Sequence, residues 1–379
     1  MRVHVKPALL RWARERVGLT TDDLVRRFPH LQRWEDEEEQ PTLKQLERYA
    51  STTRTAIGYF FLSEPPVERV PIPDLRTIGD RNVEHPSPDL LDTIYICQAR
   101  QEWYREFARS HGERPLPFVG SATLRSGIEN TATAMREALQ FDLSKRQAMS
   151  TWMEALRHFI DQADELGVLI TVNGVVRNNN HRRLDPREFR GFALSDDIAP
   201  MVFINGADSK AAQMFTLAHE LAHIWLGQSA VSASDHARGP AHAAEVWCNE
   251  VAAEMLVPQS ALREQFKASE KLQDALNRLA RQFKVSTLVI LKRIKGIGAI
   301  NSTQFWAAYD DELGRIQAKQ RVGGGDFYIT QGVRVGKRLG RALVASALEG
   351  NTLYRDAMRM LGISKVDTFR EFGHSLGVG

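Results

Sequence analysis

The chain has 379 residues and a formal net charge of only +3. That length allows two or three domains with a sizeable core, and that charge excludes a polycation. With 43% hydrophobic and 26% charged residues and no apolar run of spanning length, the composition is that of a soluble globular protein with no membrane partner.

The first 64 residues read as a helical domain. In PALLRWARERVG, the apolar positions Leu9, Leu10, Trp12, Ala13 and Val17 predict a helix that ends at Gly18 as its C′ glycine. Thr21 is the expected N-cap of the next helix, and Pro41 opens another whose Leu43, Leu46, Tyr49 and Ala50 line one face. Trp34, Glu35 and Pro41 resemble the Trp-Glu-x-Gly-x-x-x-Pro ending of an Xre-type helix-turn-helix domain. Glu37 takes the glycine place, and Pro29 cuts a span, Val25 to Trp34, shorter than a recognition helix needs. The acidic run Asp36 to Glu39 would repel phosphates. The resemblance therefore implies a degenerate helix-turn-helix domain that positions the chain or binds a partner.

Residues 65–88 are a proline-rich linker. Helices are expected over Asp89–Ser110, Asn130–Gln140 and Ser150–Leu166, followed by strands at Gly167–Val172, Phe189–Ser195 and Pro200–Gly206. An exposed edge of that sheet, expected near Arg190 to Asp196, would accept an extended substrate as an added strand.

Next comes FTLAHELAHIWLG, Phe215 to Gly227. On a helix, His219 and His223 lie one turn apart and present two imidazoles to one point, and Glu220 sits beside them. This is the His-Glu-x-x-His pattern of zinc peptidases, with two ligands and a general base. Zinc needs a third protein ligand and one open position. Leu226 and Ser229 exclude the metzincin continuation, so the third ligand is expected on a later helix. AHAAEVWCNEVAAEMLVP reads as that helix, closed by Pro258, and by residue type it offers Glu245, Glu250 and Glu254.

Together these two stretches resemble the ImmA/IrrE family of zinc metallopeptidases. Glu245, Cys248, Asn249, Ala252, Ala253, Leu256 and Pro258 fall in register with its second helix. The resemblance implies that Glu245 is the third ligand, that Zn2+ is the cofactor, and that the substrate is a protein, with transcriptional repressors in stress response or mobile-element control as the target class. Ile72 to Thr77, IPDLRT, is similar to a segment that joins the two domains in this family. Cys248 reads as a small buried filler. An oxyanion donor is expected among Tyr, His or Arg residues around His181 to Arg190, and His236 and His242 read as residues of a solvated loop. Two cysteines, Cys97 and Cys248, argue against a disulfide scaffold, and the N-terminus is charged without a signal-peptide core; the expected location is cytoplasmic.

Residues Ala275–Ile294 form a second passage of helix-turn-helix pattern, in which Lys284, Lys292, Arg293 and Lys295 make it the better candidate for DNA contact. Between Arg278 and Arg341 thirteen basic residues face four acidic ones, a local excess that could attract nucleic acid. Gly323–Gly325 lacks the Gly-Lys-Ser/Thr of a phosphate loop and reads as a turn. Helices at about Arg334–Leu348 and Thr352–Leu361 resemble a C-terminal extension of longer family members. The expected fold is α+β and mostly helical: residues 1–64 a helix-turn-helix domain, 89–300 a zincin-like metallopeptidase domain with a small sheet, 301–379 a helical extension. The competing reading is a non-enzymatic DNA-binding or antitoxin-like regulator with a structural or vestigial zinc site.

Overall fold

The computed structural model describes residues 1–75, 86–232, 243–319 and 334–378. Those residues divide into two compact units: 1–71 with 86–94, and 72–75 with the described residues from 95 onward.

In the first unit, α1 (Pro7–Glu15), α2 (Thr21–Leu24), α3 (Leu31–Glu35) and α4 (Leu43–Thr52) are followed by a 3-10 turn, Ile57–Phe61. Gly18 ends α1 in the left-handed region, as expected. The cap of α2 lies one residue from the expected Thr21, and α4 starts two residues after the expected Pro41. Thr20, not Thr21, forms a capping box with Asp23, and Thr42 forms one with Gln45. Trp34, Tyr49, Phe28 and Leu9 share the core, whereas Leu43, expected on the inner face, is exposed. Glu37 has φ 62°, so a glutamate takes the left-handed conformation at the glycine place of the related pattern. With only four and five residues, α2 and α3 offer little length for a groove-reading helix.

Helix α5 (Pro88–Ser110) leads into α6 (Ile128–Ala138), α7 (Leu143–Ala148) and α8 (Trp152–Leu166). Strands β1 (Leu169–Asn173), β2 (Gly191–Leu194) and β3 (Met201–Asn205) follow; then come α9 (Lys210–Trp225), β4 (Ala230–Ser232) and α10 (Ala243–Leu256). The sheet order is β1-β3-β2-β4, with β1 and β3 parallel and the other pairs antiparallel. One face of the sheet (Ile170, Val172, Ala193, Val202, Ile204) packs in the core that includes α9 and α10. The other presents stacked Phe192 and Phe203, 4.9 Å apart. Strand β2 is paired on both sides, so the expected open edge at Arg190 to Asp196 is interior; the outer strand there is β4, too short to announce itself in sequence.

The core continues through α11 (Gln259–Gln265), α12 (Leu272–Phe283), α13 (Thr287–Gly296) and α14 (Ser302–Lys319). Phe305 and Tyr309 of α14 belong to the same hydrophobic cluster as α9 and α10. Helices α15 (Lys337–Leu348), α16 (Tyr354–Leu361) and α17 (Val366–Ser375) close the chain. The architecture is mostly helical with a small mixed sheet, as expected. Among the described residues no helix is long and apolar enough to cross a membrane.

Candidate metal centre

Ser209 caps α9, its side chain accepting from the Ala212 amide at 3.2 Å. Leu217, Ala218, Leu221 and Ala222 bury this helix against Ala244, Cys248, Val251, Ala252 and Met255 of α10. Three arginines from elsewhere satisfy the carbonyls at the end of α10. Arg136 donates to Glu254 O at 2.9 Å, Arg293 to Val257 O at 2.9 Å, and Arg146 to Leu256 O. Cations there complement the helix dipole and the orphan carbonyls of a last turn.

Packed this way, α9 and α10 bring His219, His223 and Glu245 to one point. His223 Nε2 lies 3.0 Å from Glu245 Oε1 and 3.2 Å from His219 Nε2, and His219 Nε2 lies 3.3 Å from Glu245 Oε2. All three side chains are buried. Ligand atoms about 2.0–2.1 Å from a tetrahedral zinc stand about 3.3 Å from one another. The distance between the two imidazole nitrogens is close to that length, and the two distances to Glu245 end one on each of its carboxylate oxygens; two imidazole nitrogens 3.2 Å apart need a shared cation or proton between them. Of the three glutamates on α10, Glu245 is the one gathered with the histidines. Glu250 is exposed beside a neighbouring cavity, and Glu254 pairs with Arg293.

The electrostatics follow from burial and this clustering. Burial pushes the Glu245 carboxyl up, but His219 and His223 outweigh it and hold the group down to about 2. Burial pushes the His219 imidazole down, yet Glu245, with Glu220 and Asn249, outweighs it and leaves the pKa raised. Glu220 is fully buried, and neither carboxylate oxygen meets hydrogen-bond geometry with a described residue. Burial pushes it up to about 8; His219 opposes and Glu245 adds to the rise. Gly191 of β2 backs this carboxylate: a Cβ there would stand 2.6 Å from Thr216 Cγ2 and 3.0 Å from Glu220 Oε1. Cys248 is buried in the core between α9 and α10, and its thiol is pushed up, first by burial and then by Glu245 and Glu220.

Two residues of the site had no role assigned from sequence. Ser232, in the three-residue β4, places Oγ 3.1 Å from His219 Nε2. Asn249 was legible as part of a motif, but only the fold shows it acting on His219. Of the residues expected to supply an oxyanion donor, Arg190 lines a cavity of about 550 Å3 beside the site, which it shares with Phe215, Asn249, Leu288 and Lys292. Its Nε lies 3.3 Å from Asp208. His236, His242 and Gly323–Gly325 lie outside the described residues.

The second helix-turn-helix-like passage is α12 and α13, joined through Lys284 in the left-handed conformation. Its four cations turn inward. Lys284 is buried and donates to Arg281 O at 2.7 Å, Lys292 lines the cavity, Arg293 pairs with Glu254, and Lys295 lies 4.3 Å over the Phe305 ring. They are engaged within the unit, which removes the reason for preferring this passage as a DNA contact. Elsewhere in the basic stretch, Arg278 pairs with Glu270, Arg315 with Glu312 and Arg338 with Glu113.

Residues 163–295 match the model of the M78 peptidase family, described as an IrrE N-terminal-like domain, and residues 335–375 match a domain of unknown function (DUF8813). The first match makes the segment that holds β1 to α13 similar to zincin-like metallopeptidases of the ImmA/IrrE kind. Comparisons with curated proteins and with solved structures found no match.

Proposed function

We propose that the chain is a zinc-dependent metallo-endopeptidase acting on a specific protein, with a transcriptional repressor as the class of target. The observation that carries this reading is the convergence of His219, His223 and Glu245 at 3.0–3.3 Å beside a buried carboxylate, Glu220, whose oxygens meet hydrogen-bond geometry with no described residue. A structural metal site needs no such base, so the vestigial-site reading draws no support from this geometry.

His219, His223 and Glu245 would hold the metal, and the donor set of two imidazoles and one carboxylate fits zinc with a position left open. A bound zinc supplies Lewis acidity to the scissile carbonyl and to the attacking water. Glu220 accepts the proton of that water and passes it to the leaving amine. Asn249 orients His219, and Arg190, which lines the neighbouring cavity, is the group we assign to a developing oxyanion. The repressor class rests on the family resemblance alone, and the two buried free cysteines fit the reducing cytoplasm.

The test is Glu220→Gln in the zinc-loaded chain, co-expressed with a candidate repressor. The variant is expected to keep its zinc and to lose about 10²–10⁴-fold in cleavage rate. Retained cleavage would remove Glu220 from the mechanism.

A further inference from the structure

The outer edge of β4 is occupied by the chain itself. Val231 N donates to Pro73 O at 3.0 Å, and Leu75 N donates to Val231 O at 3.2 Å, in a parallel bridge between Asp74 and Val231. Residues 72–75 belong to the same compact unit as β4. Arg190 N donates to Ser232 O at 3.2 Å, which turns the Ser232 backbone toward β2. Alternation along a strand then turns Val231 outward. In a strand of three residues, Val231 is the one whose amide and carbonyl face away from the sheet, and both are taken.

This edge adjoins the reacting groups. Ser232, the next residue, touches His219, and Gly191, paired with Ser232, lies beside Glu220, where a Cβ on it would stand 3.0 Å from Oε1. An extended peptide that joined the sheet at β4 would run past the site, using the backbone groups that Pro73 and Leu75 now use. We propose that Pro73–Leu75 is a resident strand that competes with an extended protein substrate for the β4 edge. The inference rests on the peptidase reading for what the substrate does, but not for the occupancy itself.

The segment is built to leave. It makes two backbone bonds to the edge, Pro73 and Asp74 are exposed, and prolines at 71 and 73 cannot donate, which keeps the pairing short. Its sequence is no strand former, so the pairing has weak local support.

The experiment uses the full zinc-loaded chain and the variant Leu75→Pro, which removes the donor to Val231 O. Amide exchange at Val231 is expected to quicken at least about fivefold, since net hydrogen bonds of this kind are worth a few-fold each. A labelled peptide of sequence Val70–Thr77 is expected to bind the variant at least about fivefold tighter than the native chain, because only the variant offers a free edge. Unfolded casein peptides are expected to be cleaved with a lower KM and an unchanged kcat. Where Leu75→Pro fails to fold, the combined replacement Ile72→Gly, Pro73→Ser, Asp74→Gly and Leu75→Ser takes its place. Unchanged Val231 exchange, or equal peptide binding by both chains, overturns the proposal. Faster exchange with a lowered melting temperature and no gain in peptide binding shows a structural strand and also overturns it. Absence of casein cleavage in both chains counts against the peptidase reading, and the exchange and binding results still decide the occupancy.

Discussion

The two margins of the one small sheet are closed in different ways. At β1, the chain entering α15 is locked in. Val335 is buried and accepts from Thr171 Oγ at 3.3 Å, and a Cβ on Gly336 would stand 2.5 Å from Ile170 O. Arg338 then bonds Tyr104 Oη at 2.6 Å and Glu113 at 3.0 Å, and Arg100 reaches Met360 O at 2.7 Å. At β4, an exposed proline-flanked segment makes two backbone bonds. The first margin joins the extension to the core by side chains and buried apolar area; the second leaves the sheet next to the metal centre under a light cover. The extension is anchored at the β1 flank, and the residues proposed to hold the metal lie beside the β4 flank.

Substitutions should therefore differ in kind between the flanks. The largest effect belongs to Glu245→Ala, which removes one of three ligands; calorimetric zinc affinity is expected to fall more than about 100-fold, and Glu250→Ala to leave it unchanged. The reverse pattern would move the ligand role to Glu250.

Lys292, at the cavity, has its pKa lowered to about 8 from 10.5, first by burial and then by Arg190. Below pH 8 the native state must charge a buried amine, so the residue opposes folding there, and the penalty fades as pH rises toward 10.5. Lys292→Met is expected to stabilise the chain by about 2–3 kcal/mol near pH 7 and by almost nothing near pH 10.5, read from denaturant midpoints. A destabilised variant at pH 7 would show that this flank does not bear the burden described.

On the β1 flank the sign reverses. Arg338→Ala is expected to lose about 2 kcal/mol of stability through its bonds to Tyr104 and Glu113, with zinc affinity unchanged. Coupled loss of zinc would mean the two flanks are not separate. The smallest effect is that of Asn249→Ala, with about a tenfold weaker hold on zinc and an unchanged melting temperature of the metal-free chain.

How much of this was legible follows from the range of each interaction. The spacing of His219 and His223 and the run after Glu245 are local, so sequence carried them, and helices α5, α6 and α8 lay within two residues of their expected ends. The choice of Glu245 over Glu250 came from family resemblance, because helical period alone leaves both in play. Strand β4 escaped because three residues hold no alternation, and with it Ser232 escaped. The pairing of Pro73–Leu75 escaped because prolines argue against a strand. Phe305, Tyr309 and Leu313 of α14 do recur at helical spacing, yet only the tertiary fold shows that they complete the core around α13. The convergence of Arg136, Arg146 and Arg293 on one helix end is a long-range event with no local trace.

The most direct measurement is the zinc content of the full chain, purified without chelator, beside that of His223→Ala. The account predicts about one zinc per native chain and a loss of it in the variant. A folded native chain without zinc, or a variant that keeps it, would contradict the assignment of His219, His223 and Glu245 as a metal centre.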